Sequence, residues 1–444
     1  MQKILILGAG LSSTALIRYL LEHAGENDWR IRLADASLEL AEKKIGGHAA
    51  GEAIRFDAND DRQLSSGIKN ADLVISMLPA KMHPVIARDC LSHGKHLLTA
   101  SYISEEMRQM HGEALRKNLL FLNEIGVDPG IDHMSAIRII EALKNKGARI
   151  TAFESHTGGL VAPKHDNNPW NYKFTWNPRN VVLAGQGGAR FLHNGKFKYI
   201  PYHKIFNRYE RIYVLDMGEF ESYPNRDSLK YQEAYGLQDV ETMFRGTIRR
   251  PGYCRAWDIL VRIGATDDSY IVSDSINMTC LEFIDSFLAY STGKPVEQKL
   301  AEYAGINEDS DIMYKLRWLG LFSNEKIGLK DATPAQILQH LLSEKWKLDP
   351  DDKDMLVMQH QFEYVLNNKK RKIISSMIFR GQDSDNTAMA MTVGLPVAIA
   401  AKLLLTGKIH GRGVLMPLQP EIYQPVLAEL GDHGILFIDE EVNL

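Results

Sequence analysis

Residues 3–13 have the sequence KILILGAGLSS, and this stretch decides the fold expected for the first third of the chain. The apolar run at residues 3–7 predicts a buried strand, and apolar side chains then recur at helical spacing through residues 14–21. Between the two, Gly8 permits a tight turn and Gly10 lets the backbone approach a pyrophosphate, which the helix N-terminus attracts. The expected cofactor-binding residues of this turn are Gly8, Gly10, Leu11 and Ser12.

An acidic residue lies at the position where a dinucleotide-binding fold uses one to bind the adenosine ribose. A second strand is predicted at residues 29–34, and it ends in Asp35, which lies 27 residues after Gly8. A carboxylate about 20 or more residues after the first glycine suits hydrogen bonds to the adenosine ribose. It would also repel a 2′-phosphate, which favours NAD over NADP. NADP stays open because of the nearby basic residues Arg32, Lys43 and Lys44.

Strands and helices continue to alternate through the first 123 residues. Further buried strands are predicted at residues 72–78, 96–100 and 119–123, with helices at 84–93 and 104–117. This alternation predicts a parallel, doubly wound sheet, in which ligands bind beyond the C-terminal ends of the strands. Five polar residues follow strands and are candidates by position: Asp35, Asp57, Ser76, Tyr102 and Asp128.

The stretch 119–134, LLFLNEIGVDPGIDHM, closes this first region. It begins as an apolar strand, turns polar and reaches the tight-turn sequence Asp128-Pro129-Gly130. Asp128 is therefore expected where a cofactor site meets a substrate site.

The later part of the chain is more polar and richer in aromatic residues. The alternation from Trp170 to Trp176 predicts a half-buried strand, with Lys173 on the face opposite its aromatic neighbours. Arg226 and Arg245 stand beside turn residues and suit bidentate recognition of carboxylates, although surface arginines need no such role.

The C-terminal half predicts a helical insertion followed by strands. Residues 256–349 are mostly helical in pattern, and β-rich runs at 355–366 and 372–380 flank a hairpin signal. The apolar stretch at 388–405 is interrupted by a proline and a lysine, which favours a buried helix over a membrane span. A last strand is predicted at 434–438.

Bulk composition excludes several classes of function. The chain has 444 residues, 45% of them hydrophobic, and a net charge of -4, which gives no electrostatic reason to expect nucleic acid or an anionic membrane. Its three scattered cysteines favour a reducing cytoplasm and argue against a disulfide framework or a zinc site, so no metal is expected. The short apolar N-terminus is typical of a first strand rather than a signal peptide.

Together, several segments make the chain resemble the saccharopine dehydrogenase family, and within it the glutamate-forming saccharopine reductase branch. The resemblance covers most of the length. The matching segments are residues 8–13, TASYIS at 99–104, EIGVDPGIDH at 124–133, TGGLVAP at 157–163, NPWNYKFTW at 168–176, YPNRDS at 223–228, RGTI at 245–248, and residues 387–417.

The resemblance implies an α/β architecture and a reaction. A Rossmann domain would comprise residues 1–128 and be completed by residues 388–444. An α+β domain with a mixed sheet, for substrate binding and dimerisation, would comprise residues 129–250 and 351–387. A helical subdomain would comprise residues 251–350. The reaction would be the reversible oxidation of the CH–NH bond of saccharopine in lysine metabolism. Its products would be L-glutamate and 2-aminoadipate 6-semialdehyde, with hydride passing to NAD or NADP. A cytoplasmic homodimer is expected.

The resemblance also implies site residues. Asp128 and Tyr102 match family positions that are assigned to acid–base catalysis. The implied substrate contacts are Ser101, Gly130, Lys173, Arg226, Gly246 and Thr247. The implied cofactor contacts are Gly8, Gly10, Leu11, Ser12, Asp35, Asp57, Ser76 and Asn177. Thr157 stands where fungal relatives have a cysteine near the proton relay, and Asp35 stands where NADP-using relatives have a basic or neutral residue.

Two alternatives stay open at this point. The first is a related dehydrogenase of another imine-linked substrate, such as carboxynorspermidine, which needs fewer carboxylate clamps. The second is a nucleotide sensor that keeps the fold without catalysis, against which the joint presence of Tyr102, Asp128 and Arg226 argues.

Overall fold

The computed structural model describes residues 1–291 and 293–443. The chain divides into two compact units. The first unit comprises Met1–Gly147 and Met377–Phe437, and the second comprises Ala148–Ser376 and the residues from Ile438 onward.

The strands and helices of the described residues are numbered in chain order. The strands are β1 (Gln2–Leu7), β2 (Trp29–Asp35), β3 (Gly51–Arg55), β4 (Leu73–Ser76), β5 (His96–Thr99), β6 (Leu120–Leu122), β7 (Arg149–Val161), β8 (Ala189–His193), β9 (Lys196–Ile200), β10 (Glu210–Tyr213), β11 (Glu219–Pro224), β12 (Thr242–Arg249), β13 (Asp354–Leu366), β14 (Lys369–Arg380), β15 (Gly413–Leu415) and β16 (Ile438–Asn443). The helices are α1 (Thr14–Glu22), α2 (Ala24–Asn27), α3 (Leu38–Ile45), α4 (Asp61–Lys69), α5 (His83–His93), α6 (Glu105–Gln109), α7 (His111–Arg116), α8 (Ile131–Asn145), α9 (Pro178–Val182), α10 (Tyr253–Ile263), α11 (Cys280–Asp285), α12 (Val296–Ala304), α13 (Asp311–Trp318), α14 (Pro334–Lys345), α15 (Ala388–Leu405) and α16 (Pro420–Asp432).

The first unit is built on a parallel sheet of seven strands in the order β15-β6-β5-β4-β1-β2-β3. All of its strand pairs are parallel. The chain order reverses between β1 and β4, which is the switch point where a doubly wound sheet binds its ligand. The prediction of a Rossmann sheet is therefore confirmed, and the polar residues after its strands lie at one edge.

The apolar helix α15 belongs to the core of this unit. It is the described helix that is long and apolar enough to cross a membrane, and 78% of that span is buried inside the protein. Gly394 lets it approach α1 closely, because a Cβ at Gly394 would lie 2.8 Å from the backbone nitrogen of Leu16. The prediction of a buried helix is confirmed.

The second unit contains a mixed sheet in the order β10-β11-β12-β7-β13-β14-β16, with β8 and β9 attached beside β12. The pair β12–β7 is parallel, whereas β11–β12, β13–β7 and β14–β16 are antiparallel. The hairpin between β13 and β14 turns at Asn367 and Asn368, whose φ angles are 52° and 61°. Asparagine tolerates this left-handed backbone, which explains the hairpin signal in the sequence.

The aromatic segment around Trp170 is not a strand. Asn168 accepts the N–H of Trp170 and donates to the carbonyl of Tyr172, each at 2.9 Å, and these local bonds replace a sheet ladder. Trp170 and Tyr172 are fully buried and pack edge-on against Trp346. Alternating aromatic residues therefore reflect packing in a loop, not a β period.

Three boundaries differ from those expected. Strand β16 begins at Ile438 and pairs with β14, so the last residues join the mixed sheet and not the Rossmann sheet. Helix α8 lies in the first unit, although residues from 129 onward were expected in the substrate domain. The helix predicted at 104–117 is two short helices that meet at Met110.

Candidate active site

The glycine turn between β1 and α1 matches the needs of a dinucleotide. Gly8 has φ +102°, and a Cβ there would lie 3.2 Å from the backbone of Met77, so only glycine fits. A Cβ at Gly10 would meet nothing within 4 Å, which leaves space beside the backbone for a phosphate. Leu11 is exposed and Ser12 is half-buried at the start of the helix. These four residues fit a bound pyrophosphate.

Asp35 closes the same turn from the end of β2. Its Oδ2 accepts the N–H of Ala9 at 2.7 Å, and its Oδ1 accepts the N–H of Ser37 at 2.9 Å. A carboxylate oxygen has room for a second hydrogen bond, so the half-buried Asp35 can still accept from a ribose hydroxyl. The side chain therefore fits both the turn and the sugar. Of the nearby basic residues, Arg32 is paired with Glu52 at 3.1 Å.

Asp57 and Ser76 lie at the ends of the neighbouring strands. Asp57 is exposed after β3, and its Oδ1 accepts the backbone N–H and the side-chain amide of Asn59 at 2.9 and 3.0 Å. Ser76 ends β4 and is fully buried. Its hydroxyl contacts Nδ1 of His83 at 3.0 Å.

His83 joins two of the predicted site residues. Its Nε2 lies 2.7 Å from the hydroxyl of Ser101 and 3.2 Å from that of Thr99. Burial lowers the pKa of His83 to about 4, so the ring is neutral and each ring nitrogen faces a hydroxyl. The sequence pattern did not single out this histidine, because a lone histidine at a helix start carries no motif of its own.

Tyr102 and Asp128 form a pair. The tyrosine hydroxyl donates to Oδ1 of Asp128 at 3.1 Å, and both side chains are half-buried. Tyr102 follows β5, whereas Asp128 lies in the loop after β6, before a cis peptide bond to Pro129. The structure thus brings together the two residues predicted for acid–base work.

The loop that carries Asp128 is closed by glycines. Gly130 has φ +146°, and a Cβ there would lie 2.1 Å from the carbonyl oxygen of Gly126. The N–H of Gly126 donates to the carbonyl of Pro129 at 2.9 Å, and the N–H of Gly130 donates to Oδ1 of Asp132 at 2.6 Å. Side chains of ordinary size do not fit at Gly130, so the compact turn is fixed by the sequence.

A buried cluster of two carboxylates and a histidine supports this loop. Oε1 of Glu124 accepts the N–H of Ile103 at 2.9 Å, and its Oε2 lies 2.9 Å from Nε2 of His133. Asp132 accepts the backbone N–H of His133 at 2.8 Å, and the side chains of Glu124, Asp132 and His133 are almost fully buried. The cluster ties the Asp128 loop to the segment that carries Tyr102. It accounts for the presence of Glu124 and His133 in the motif EIGVDPGIDH.

Arg226 lies in the second unit, in the exposed loop after β11. Its φ is 53°, and its carbonyl accepts the N–H of Arg190 at 2.9 Å. The loop is held by Asp227, which makes two hydrogen bonds with Arg190 at 3.1 and 2.5 Å. The N–H of Asn225 donates to the carbonyl of Arg245 at 2.9 Å, which joins the loop to β12.

Gly246 and Thr247 lie on β12, beside that loop in the register of the sheet. A Cβ at Gly246 would lie 2.1 Å from Oγ of Ser222 and 2.8 Å from the ring of Phe244, so a larger residue here would displace these side chains. Thr247 pairs with Tyr223 on one side and with Thr157 on the other. The Thr157 hydroxyl is buried and has no hydrogen-bond partner among the described residues.

Lys173 and Asn177 have clear structural partners. Lys173 is 3% exposed, and its Nζ contacts Asp352 at 2.5 Å and Asp349 at 3.1 Å. Burial lowers the pKa of Lys173, but the bonds to both carboxylates outweigh that effect and raise it. Asn177 caps α9 by accepting the N–H of Arg179 at 2.9 Å. Their expected contacts with substrate and cofactor stay predictions.

Two family profiles match the chain. Residues 4–122 match the saccharopine dehydrogenase NADP binding domain, and residues 126–435 match the saccharopine dehydrogenase C-terminal domain. The second profile covers more than half of the chain. The chain belongs to the saccharopine dehydrogenase family.

Individual relatives agree with this family. The saccharopine dehydrogenase [NADP(+), L-glutamate-forming] of Schizosaccharomyces pombe is 32% identical over 100% of both chains. The mitochondrial alpha-aminoadipic semialdehyde synthase of Mus musculus is also 32% identical, over 98% of this chain but 47% of its own length. The apo saccharopine dehydrogenase (L-Glu forming) of Saccharomyces cerevisiae superposes with a TM-score of 0.89 at 30% identity over 100% of both chains. Homospermidine synthase from Legionella pneumophila, at 11% identity and a TM-score of 0.58, shares the fold.

The family and the geometry together define the class of protein. It is an oxidoreductase of the saccharopine dehydrogenase family with a Rossmann unit for NAD or NADP. The glycine turn would hold the pyrophosphate of the cofactor, and Asp35 would hold its adenosine ribose. The same sheet edge carries the pair formed by Tyr102 and Asp128.

Proposed function

We propose that this protein is a saccharopine dehydrogenase of the L-glutamate-forming type, acting in lysine metabolism. The observation that carries the proposal is the hydrogen bond of 3.1 Å between Tyr102 and Asp128 at the carboxyl edge of the Rossmann sheet. Full-length relatives named for this activity support it. Saccharopine is a secondary amine with three carboxylates, so its oxidation needs a proton acceptor and carboxylate ligands.

Asp128 is the proposed acid–base group. A nicotinamide held at this edge of the sheet would supply the hydride acceptor for the carbon next to the secondary amine. Asp128 takes the proton of the amine nitrogen, so that the substrate becomes an imine. Water then adds to the imine carbon to give a carbinolamine. The carbinolamine collapses as its C–N bond breaks, its nitrogen gains a proton and its hydroxyl loses one, which leaves the aldehyde carbonyl. The products are glutamate and the semialdehyde. A positioned acid–base group supplies roughly 10²–10⁴-fold in rate.

Tyr102 supports Asp128 in this scheme. Its hydroxyl donates a hydrogen bond to Oδ1 of Asp128. This bond fixes the orientation of the carboxylate that accepts the proton of the substrate. Arg226 is the proposed clamp for a substrate carboxylate, since guanidinium geometry suits bidentate binding. Gly246, Thr247, Ser101 and Gly130 complete the proposed substrate contacts.

The cofactor preference that we propose is NAD. Asp35 is positioned at the glycine turn through Ala9, and its charge would repel a 2′-phosphate. Asp35→Asn keeps an oxygen that can accept the Ala9 N–H but removes the charge. We expect this variant to lower the ratio of kcat/KM for NAD to that for NADP by about tenfold, the equivalent of about 1.4 kcal/mol. Asp61→Asn, an exposed residue of α4, should leave the ratio unchanged.

A substrate panel tests the reaction itself. Reduced cofactor is followed by absorbance with saccharopine or carboxynorspermidine, each with NAD and with NADP. Saccharopine should give the larger kcat/KM, and NAD should exceed NADP. Faster oxidation of carboxynorspermidine would favour the polyamine branch. Binding of NAD without turnover of either substrate would support a nucleotide sensor instead.

We also propose a cytoplasmic homodimer. The large apolar side chains Phe197, Tyr199 and Tyr213 are 61%, 68% and 67% exposed on strands of the mixed sheet, which is typical of a surface that meets a partner. Light scattering of the purified protein should give twice the mass of the chain. The monomer mass at micromolar concentration would contradict the proposal.

A further inference from the structure

Lys44 reaches from helix α3 to the start of helix α1. Its ammonium donates to the carbonyl of Gly10, to the Ser13 hydroxyl at 3.2 Å and to the Thr14 hydroxyl at 2.9 Å. These three acceptors match the three donors of an ammonium group. A full positive charge therefore lies at the glycine turn, beside the helix N-terminus.

This contact occurs where the chain departs from the usual fingerprint. Ser13 stands in place of the third glycine and is fully buried, with its hydroxyl donating to Gly10 at 2.8 Å. Lys44 joins Ser13 and Gly10, and so it fixes the shape of the turn next to the open space at Gly10.

The surroundings of Lys44 set its charge. Burial lowers the pKa of Lys44, the carboxylates of Asp35 and Asp385 raise it, and the neighbouring Lys43 lowers it; together these effects place the pKa at about 8. Asp35 ends β2, and Asp385 lies in the segment before α15. The charge of Lys44 therefore changes just above neutral pH, unlike that of an ordinary lysine.

We propose that Lys44 is a binding residue for the cofactor's pyrophosphate, with its ammonium placed by Gly10, Ser13 and Thr14 and exchanging one of these three acceptors for a phosphate oxygen on binding. The inference rests on the use of a dinucleotide by this family, but it does not depend on the proposed substrate. A protonated Lys44 attracts the pyrophosphate, and a neutral one does not. Cofactor affinity should therefore fall as the pH rises through about 8.

Binding of nucleotide fragments to the full chain tests this role. Dissociation constants of ADP-ribose and adenosine are measured by competition against the fluorescence of bound NADH at pH 7. We expect Lys44→Met to weaken ADP-ribose by about tenfold, the effect of one charge-assisted contact of about 1.4 kcal/mol. Adenosine, which has no phosphate, should bind as in the wild type.

A substitution of a second lysine tests whether the effect on binding is specific to the charge of Lys44. Lys69 lies in the last turn of α4, as Lys44 does in α3, and it is exposed. Lys69→Met removes the same charge from the same unit and should leave both constants unchanged. An equal loss for ADP-ribose and adenosine in Lys44→Met, or no loss for either, would overturn the proposal.

The pH dependence provides a test that does not rely on the methionine variant folding. Wild-type affinity for ADP-ribose should fall about tenfold between pH 7.5 and pH 9.5, since one cation is lost. Lys44→Arg keeps the cation over this range and should flatten the curve. A wild-type affinity that does not change over the same interval would contradict the proposal. None of these readouts requires turnover of saccharopine.

Discussion

The two units support their candidate site residues in opposite ways. In the first unit, the Asp128 loop rests on the buried side chains of Glu124 and His133. In the second unit, Arg226 is exposed on a loop held by backbone hydrogen bonds and by the half-exposed pair of Arg190 and Asp227.

This difference matches the two kinds of chemistry proposed. A proton-transfer group must keep its geometry, because small displacements cost large factors in rate, and buried networks provide that rigidity. A carboxylate clamp binds a flexible substrate and tolerates movement, so an exposed loop is sufficient. The comparison predicts that substitutions of the buried side chains that support the Asp128 loop lower stability strongly. Substitutions beside Arg226 should lower it little.

The largest stability effect is expected at Glu124. Glu124→Ala removes a buried carboxylate that accepts from the Ile103 N–H and contacts the His133 ring, which should cost about 3–5 kcal/mol in the free energy of unfolding. Urea denaturation measures the loss. Glu106→Ala breaks an exposed pair with Arg88 and should cost less than about 1 kcal/mol. Similar losses in both variants would remove the contrast between a buried and an exposed carboxylate.

An intermediate effect is expected at His83, and it depends on pH. The pKa of His83 is about 4 in the folded chain and near 6.5 when unfolded, so the unfolded chain binds the extra proton first. The contribution of the neutral His83 ring to the free energy of unfolding is complete above pH 6.5 and is lost as the pH falls toward 4. It should amount to about 2 kcal/mol between pH 8 and pH 5.

His83→Gln has no group that titrates in this range. Its urea midpoint should therefore fall less between pH 8 and pH 5 than that of the wild type. The same fall in both proteins would show that His83 protonates as easily in the folded chain as in the unfolded chain.

The sequence predicted the parts of the site that depend on local chemistry. The strand, glycine turn and helix around Gly8 follow from hydrophobic period and backbone freedom, and Asp35 follows from spacing. The pairing of Tyr102 with Asp128 followed from family motifs, and their positions after adjacent strands explain it. Each of these features follows from a recognisable pattern in the sequence: a hydrophobic period, a glycine turn, a fixed spacing or a family motif.

Long-range contacts were not predictable in the same way. His83 meets Ser101, and Lys44 meets Ser13, only because the sheet places distant segments side by side. The aromatic run at Trp170 has a strand period but packs in a loop, since Asn168 bonds locally. The destination of β16 depends on which sheet has a free edge, which periodicity does not encode.

The smallest effect on stability is expected at Asp227. Asp227→Ala removes a half-exposed ion pair with Arg190 and a hydrogen bond from the Leu229 N–H, at a cost of about 1 kcal/mol or less. The looser loop should raise the KM for saccharopine several-fold while kcat changes little, as measured by steady-state kinetics. A loss of stability comparable to that of Glu124→Ala would contradict the description of this loop as adaptable.

The most direct measurement compares Asp128→Asn with Arg226→Ala in saccharopine oxidation under saturating cofactor. We predict that Asp128→Asn lowers kcat by about 10²–10⁴-fold with a nearly unchanged KM, because proton transfer is lost. Arg226→Ala should instead raise the KM for saccharopine and retain most of kcat. Turnover close to that of the wild type in Asp128→Asn, together with a loss of turnover in Arg226→Ala, would contradict the assignment of Asp128 as the acid–base group.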